Sequence, residues 1–208
     1  MRETVKMKYI KLIQQIVNEK NKKRLTNKNF SLVTSNCTGG IVYHWLGLKF
    51  RSPFINLYMT NRDFITALNN FDLFLHTPLM EAEEENVGYP VGVGYGNTKI
   101  HFVHYKSFKE ANAKWMERCK RIDVNNLYIM LTNWDGDEKI LAEFETLPFR
   151  NKVIFTHKKY AQYHSAFYLR GLAKRFGKKK VEQVYRTKNI FGQRYIDQFD
   201  YIKFFNTK

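Results

Sequence analysis

The sequence predicts an α/β fold: a single domain with a mainly parallel central sheet flanked by helices. Its 208 residues suit one ordinary domain. Short β-rich runs alternate along the chain with segments of helical periodicity, which is the order that β-α-β units require. Apolar residues make up 44% of the chain and aromatic residues 16%, so a disordered or collagen-like chain is excluded.

The individual elements are predicted from these runs. The predicted strands lie at 30–35, 54–59, 99–105, 126–132 and 152–156. The predicted helices lie at 4–20, 41–46, 61–71, 107–120 and 135–146. The acidic run 81–85 and the glycine-rich run 88–97 are predicted to be loops. In open parallel sheets ligands bind at the carboxyl ends of the strands, so the residues that follow each run are the first candidates for a site.

Both ends of the chain are predicted to extend this core. Residues 1–28 are expected to form a basic amphipathic helix packed on the domain, and residues 29–160 to form the α/β core. Residues 161–208 are expected to be a basic, aromatic and mostly helical extension of the same domain. The predicted apolar face of the first helix consists of Val5, Tyr9, Leu12, Ile13, Ile16 and Val17.

The net charge of +16 is concentrated at the two ends. Residues 1–28 carry nine basic and two acidic residues, a net +7, and residues 152–208 carry fourteen and three, a net +11. The densest cluster consists of Arg170, Lys174, Arg175, Lys178, Lys179 and Lys180. Such a cluster suits a polyanionic ligand or glycan precursor, or peripheral contact with an anionic membrane, and equally a solvated face. No zinc-finger spacing or aromatic RNA-binding signature occurs, so no sequence-specific nucleic acid is expected as a partner.

The location predicted from the sequence is cytoplasmic. No run approaches the roughly 18 apolar residues of a membrane-spanning helix, and the amino terminus lacks the apolar region of a secretory signal. Cys37 and Cys119 do not make a disulfide framework, so free thiols are expected, and paired cysteines for a structural metal are absent. The basic tail, with apolar residues among its lysines, suggests a peripheral position at the inner face of the membrane.

The run Ser35-Asn36-Cys37-Thr38-Gly39-Gly40 is the first candidate site. It leaves a predicted strand and enters a helix, where the helix dipole is expected to lower the pKa of the Cys37 thiol. Backbone N–H groups there, with Asn36, are expected to hold an oxyanion. The alternative is a small buried cysteine with glycines that serve a tight turn. Cys37 is expected to be reachable by solvent, whereas Cys119 is expected to be buried.

Two further motifs carry candidate chemistry. His101 and His104 lie on a predicted strand and point to opposite faces, so His104, nearer the carboxyl end, is the candidate base and the pair is not a metal site. Each histidine has the alternative of a partly buried, hydrogen-bonded side chain. Asp135 and Asp137 form a D-x-D triplet that suits a metal–diphosphate, although a turn and a helix cap at Asp137 is the favoured interpretation. Dinucleotide, P-loop and nucleophile-elbow motifs are absent.

A set of ordered motifs resembles one bacterial family. The motifs are SNCTGG at 35–40, LGLKFRSPFINLYM at 46–59, GYPVGV at 88–93, IHFVHYKSFKEANAKWMERCKRID at 100–123, WDGD at 134–137 and LPFRNKVIFT at 147–156. Over residues 29–157 they resemble the family known as domain of unknown function 1919, which is associated with exopolysaccharide or capsule biosynthesis. The resemblance implies a role in making a surface polysaccharide. The strand–SNC–helix arrangement is also similar, over three or four residues, to the start of a coenzyme-A-binding capsule protein family.

The leading hypothesis is acyl transfer to a surface glycan or its lipid-linked precursor, with acyl-coenzyme A as a possible donor and no metal. Cys37 is the nucleophile or part of the donor pocket, His104 is the base, and His101 is its substitute or orienter. The oxyanion and substrate would be bound by Ser35, Asn36, Gly39, Gly40 and Asp135. The alternatives are a metal-dependent glycosyltransferase that uses Asp135 and Asp137, and a non-catalytic module that binds glycans or anionic surfaces.

Overall fold

The computed structural model describes residues 2–84, 86–133, 136–172 and 183–207. The helices are α1 (Arg2–Arg24), α2 (Thr38–Leu46), α3 (Asn61–Asn69), α4 (Phe71–His76), α5 (Phe108–Cys119), α6 (Glu138–Thr146) and α7 (Tyr201–Phe205). The strands are β1 (Ser31–Thr34), β2 (Met80–Ala82), β3 (Val91–Gly94), β4 (Thr98–His101), β5 (Leu127–Thr132), β6 (Lys152–Thr156) and β7 (Ala166–Tyr168).

The central sheet is parallel, as predicted, and has the strand order β1-β5-β6-β7. Its middle strands are almost continuously apolar because both faces of the sheet are buried. One face packs under α3, α4, α5 and α6, and the other packs under α2, α7 and the segment 184–196. The expected α/β domain with helices on both faces is therefore confirmed.

A second, antiparallel sheet in the order β2-β3-β4 was not expected. The glycine-rich run 88–97 contains β3, and the acidic run 81–85 begins inside β2, so neither is only a loop. The glycines were misleading because they make room for aromatic rings. A Cβ at Gly94 would lie 2.7 Å from the ring of Phe74, so this strand position requires a residue without a side chain.

The predicted strand 54–59 is wrong. Only Tyr58 makes a strand-like contact, an isolated antiparallel bridge to His101. The segment follows Pro53, and Asn56 has a φ of 61°, in the left-handed region that no strand residue adopts. The predicted strand 99–105 is also too long, since β4 ends at His101 and the Val103 N–H turns back to the His101 carbonyl.

The sequence signals for the starts of helices predict the structure better than the signals for strands. Ser107 accepts a hydrogen bond from the Glu110 N–H and begins α5, which confirms the predicted cap. Asp137 caps α6 in the same way, by accepting from the Lys139 N–H at 2.9 Å. The predicted helix 61–71 is divided into α3 and α4 at Asn70, whose backbone is not helical.

The two ends of the chain differ from their predictions. The described part of the tail is less helical than expected, because it adds β7 to the parallel sheet and contains a hairpin-like segment at 184–196 before α7. In α1, Ile13 and Val17 are half-buried, but the other four residues of the predicted apolar face are exposed. These four lie about 100° or more around the helix from Val17, except Tyr9 at about 80°, and they fall outside the sector of α1 that contacts the domain.

Candidate functional site

The two sheets meet at the carboxyl end of β1. The Met59 N–H donates to the Ser35 carbonyl at 2.8 Å, while Tyr58 and His101 exchange backbone hydrogen bonds of 2.8 and 2.9 Å. The segment 57–59 therefore lies between the end of β1 and the end of β4. The turns that follow these two strands are brought together as a result.

These turns carry Cys37 and His104. The Cys37 Sγ lies 3.3 Å from the His104 Nε2 and 3.8 Å from the Leu57 carbonyl oxygen. Cys37 occupies the N-cap position of α2 and is partly exposed, and His104 is exposed. The predicted strand-to-helix placement of a solvent-reachable Cys37 is thus confirmed, and the structure pairs it with the predicted base.

The pKa of the Cys37 thiol is raised, not lowered as the sequence predicted. Burial of the sulfur raises the pKa, and a hydrogen bond from the backbone amide of Cys37 lowers it only in part. The expected lowering of this pKa is therefore wrong, because loss of solvation is the largest influence on the thiol. Cys37 is therefore a thiol at neutral pH, and its reaction as a nucleophile requires a base such as the adjacent imidazole.

Most backbone donors at the start of α2 are already bound. The Thr38 N–H donates to the Asn36 Oδ1 at 2.9 Å, and the Gly39 N–H donates to the Thr34 Oγ1 at 3.2 Å. Gly39 consequently does not serve as the predicted oxyanion donor. Within the described residues the Gly40 N–H has no hydrogen bond, as is usual in a first helical turn, and it is the backbone donor available to an oxyanion.

The glycine at position 39 has a packing role. A Cβ there would lie 2.8 Å from the Thr34 Oγ1 and 3.2 Å from the Thr34 Cγ2. Only glycine allows the first turn of α2 to approach the end of β1 so closely. This close approach fixes the position of Cys37 relative to the sheet.

Three buried polar atoms that lack a hydrogen-bond partner among the described residues lie at this junction. Ser35 Oγ, Thr38 Oγ1 and His101 Nδ1 are all buried and unpaired. An unsatisfied buried polar group costs about 1–3 kcal/mol, so such groups need an explanation. The described residues provide no compensating hydrogen bond for these three atoms.

His101 is not part of the Cys37–His104 pair. Its ring lies 5.5 Å from the ring of Tyr58 and 5.9 Å from that of Tyr89. No hydrogen bond or ring contact joins His101 to Cys37 or His104, all of which are described. The predicted role of His101 as substitute or orienter of the base therefore has no contact to act through.

Tyr185 is a site residue that the sequence did not indicate. Its pKa is raised, first by burial and then by a smaller electrostatic effect of Cys37, although no hydrogen bond joins these two described residues. It belongs to the segment 184–196, which is closed by a hydrogen bond from the Ile196 N–H to the Val184 carbonyl. Val184 and Ile196 pack in the apolar core on that face of the sheet. No local signal links Tyr185 with a cysteine so distant in the chain.

Cys119 provides a contrast within the same chain. It packs against the core at the end of α5 and is partly buried, whereas the sequence predicted a buried residue. Burial raises the pKa of its thiol to about 12. No imidazole adjoins its sulfur among the described residues, so Cys119 is a packing residue.

Other predicted features lie partly or wholly outside the described residues. This applies to Asp135 and to the basic cluster from Lys174 to Lys180, whereas Arg170 is described and its N–H bonds the Gln198 side chain.

Among the described residues, no three His, Cys, Asp or Glu side chains are grouped so that they could hold a metal ion. The described helices include none with the length and apolar character needed to cross a bilayer.

The fold and this geometry define an α/β protein with a candidate thiol–imidazole site at the carboxyl end of its parallel sheet. The chain belongs to the family described as "Domain of unknown function (DUF1919)", which matches residues 8–206. It is also 42% identical, over 191 residues, to an uncharacterised protein of Haemophilus influenzae, covering 91% of this chain and 90% of that one. The match extends beyond the predicted range 29–157, so both basic flanks belong to the family region.

Proposed function

We propose that the protein is an acyltransferase that uses Cys37 as its nucleophile and acts on a surface polysaccharide or its lipid-linked precursor. The observation that carries the chemistry is the distance of 3.3 Å between the Cys37 Sγ and the His104 Nε2. A thiol with a raised pKa beside an imidazole suits nucleophilic catalysis in which the base removes the proton during attack.

The first half-reaction transfers the acyl group to the enzyme. The Cys37 sulfur attacks the carbonyl carbon of an acyl thioester, while His104 Nε2 takes the thiol proton. The oxyanion of the tetrahedral intermediate accepts a hydrogen bond from the Gly40 N–H. The intermediate then expels the thiol of the donor, which receives the proton from His104, and Cys37 retains the acyl group as a thioester.

The second half-reaction transfers the acyl group to the glycan. His104 takes the proton of an acceptor hydroxyl, whose oxygen attacks the Cys37 thioester. The carbon–sulfur bond breaks, the acceptor leaves as an ester, and the proton returns to the Cys37 sulfur. No oxidant, reductant or metal is needed for this balance.

The substrate classes have separate support. Cys37 is partly exposed and His104 is exposed, so an acceptor as large as a glycan can reach the sulfur. Arg186 adjoins Tyr185 in the chain and is exposed, so it is a candidate to bind the phosphates of an acyl-coenzyme A donor. The polysaccharide itself is proposed from the resemblance to a family associated with exopolysaccharide and capsule synthesis.

The test is formation of the thioester. The full chain is incubated with acetyl- and longer acyl-coenzyme A compounds, and its intact mass is measured. We expect the mass of one acyl group to be added to the wild type and to the Cys119→Ser variant, but not to Cys37→Ser. Transfer that persists in Cys37→Ser, or no acylation by any donor in the series, would contradict the proposal.

A further inference from the structure

The first helix carries an outward apolar face that no described residue covers. Val5, Tyr9, Leu12 and Ile16 are 64%, 50%, 55% and 58% exposed. At about 100° per residue these four side chains form a strip about 60° wide. We call these four residues the outer stripe. Their spacing of four, three and four residues is that of a helix face built for contact.

The outer stripe is distinct from the face that holds α1 on the domain. On the inner face, Gln14 Nε2 donates to the Thr187 Oγ1 and to the Gly192 carbonyl, both at 3.0 Å. Ile13 packs against Gly192 on the same side. Since the domain already secures α1 through these contacts, the outer stripe is not needed for folding.

The tip of the segment 184–196 extends this apolar surface. Ile190 and Phe191 are 58% and 67% exposed. A cavity of about 420 Å³ between α1 and the tip is lined by Ile13, Lys20 and Phe191. The apolar tip therefore lies beside α1. Two neighbouring exposed apolar surfaces are unusual on a water-facing protein.

The charge of α1 identifies the kind of surface it fits. The helix contains eight Lys or Arg and two Glu residues, a net +6. By the helical periodicity Lys8, Lys20 and Lys23 border or prolong the outer stripe. A helix with an apolar strip and basic borders binds at the boundary of headgroups and acyl chains in anionic bilayers.

We propose that the outer stripe, together with the tip at Ile190 and Phe191, docks the protein on an anionic membrane surface. A second copy of the chain is a poorer occupant, because joining two stripes would bring two helices of net +6 together. Anionic lipid, by contrast, complements the charge of the helix. The docking surface thus combines α1 with one apolar tip of the carboxyl-terminal extension, whereas the sequence pointed to the basic cluster of that extension.

The test uses the full chain and vesicles in co-sedimentation. The vesicles contain about one third phosphatidylglycerol in phosphatidylcholine, with phosphatidylcholine alone as the control. We expect the wild type to bind the anionic vesicles and to be released by about 0.5 M salt. The double variant Leu12→Ser/Ile16→Ser should bind at least about tenfold more weakly.

A control variant tests whether the loss of exposed apolar side chains elsewhere on the protein weakens vesicle binding in the same way. Leu73 and Met116 are 50% and 55% exposed on other helices, so Leu73→Ser/Met116→Ser removes similar apolar area elsewhere. This control should bind vesicles like the wild type. Thermal unfolding by circular dichroism should give similar midpoints for all three proteins, because every substituted side chain is at least half exposed.

Three results would overturn the proposal. The first is absence of wild-type binding at low salt. The second is unchanged binding by the Leu12→Ser/Ile16→Ser variant. That second result would assign the binding to the tail if replacement of Lys178, Lys179 and Lys180 by Gln abolished it. The third is a dimer, seen by light scattering, that only the stripe variant loses. Vesicle binding and Cys37 acylation are separate readouts, so failure of one proposal is distinguishable from failure of the other.

Discussion

The two ends of the parallel sheet differ in how their polar groups are used. At the amino end a cavity of about 750 Å³ is lined by polar residues, many of them asparagines. Asn27 and Asn126 exchange side-chain hydrogen bonds of 2.8 and 3.0 Å. Asn206 Oδ1 accepts from the N–H groups of Thr26 and Asn27. These asparagines fasten the two ends of the chain to the sheet and are satisfied by one another.

The carboxyl end has the opposite character. Around Cys37 the buried hydroxyls of Ser35 and Thr38 and the Nδ1 of His101 have no partners. The comparison shows that the size of a cavity does not identify the site in this molecule. The contact between the Cys37 thiol and the His104 imidazole identifies it better, because a nucleophile and a base within hydrogen-bond distance form a reactive pair.

The largest expected effect is a lower rate of Cys37 acylation, at the carboxyl end of the parallel sheet. His104→Gln should lower the rate of Cys37 acylation by about 10²-fold, since the variant loses the base. The unfolding free energy should change little, because His104 is exposed. His101→Gln is the matched control and should retain most of the rate. Equal losses in the two variants would show that the Cys37–His104 contact has no special role.

The second largest expected effect is a loss of unfolding free energy when an asparagine contact at the amino end of the sheet is removed. Asn27→Ala should lower the unfolding free energy by about 2 kcal/mol, because Asn126 and the Phe205 carbonyl lose their partner. Chemical denaturation measures this loss, and Cys37 acylation should be unaffected. Asn125→Ala is a suitable control, since the Asn125 side chain is exposed and the residue bonds Asp123 through its backbone N–H. A stable Asn27→Ala protein would mean that the asparagine pairing is not structural.

Much of the fold could be predicted because its signals are local. The run 127–132 is apolar except for Thr132, since both faces of β5 are buried, and Ser107 caps α5 within one helical turn. The antiparallel sheet escaped prediction because its glycines resemble turn signals. In β3 they exist to accommodate aromatic rings that come from other parts of the chain, such as Phe74.

The candidate site was predictable only in its parts. Cys37 and His104 stood out by residue type and by position after β-rich runs. Their pairing depends on the segment 57–59, whose bridge to His101 is a tertiary contact that no local pattern encodes. The raised pKa of Cys37 escaped prediction for a similar reason, because burial is set by the whole fold.

The smallest expected effect is a difference in unfolding free energy between variants of two serines at opposite ends of β1. Ser31 Oγ accepts from the Asp123 N–H at 2.8 Å, whereas Ser35 Oγ is unpaired, and both residues are fully buried. Ser31→Ala should lower the unfolding free energy by about 1–2 kcal/mol, and Ser35→Ala should leave it unchanged or raise it by about 1 kcal/mol. Thermal denaturation of the two variants measures the difference. A larger loss for Ser35→Ala would reveal a structural hydrogen bond at the site.

The contacts of α1 also constrain how the protein is made. Gln14 bonds Thr187 and Asn21 bonds Tyr201, across sequence separations of 173 and 180 residues. At synthesis rates of roughly 5–20 residues per second, the first helix leaves the ribosome on the order of 10–35 seconds before those partners exist. Throughout that interval both its inner face and its outer stripe are open to other molecules. A nascent chain that meets anionic lipid by its outer stripe would keep the inner face free for the residues that arrive last.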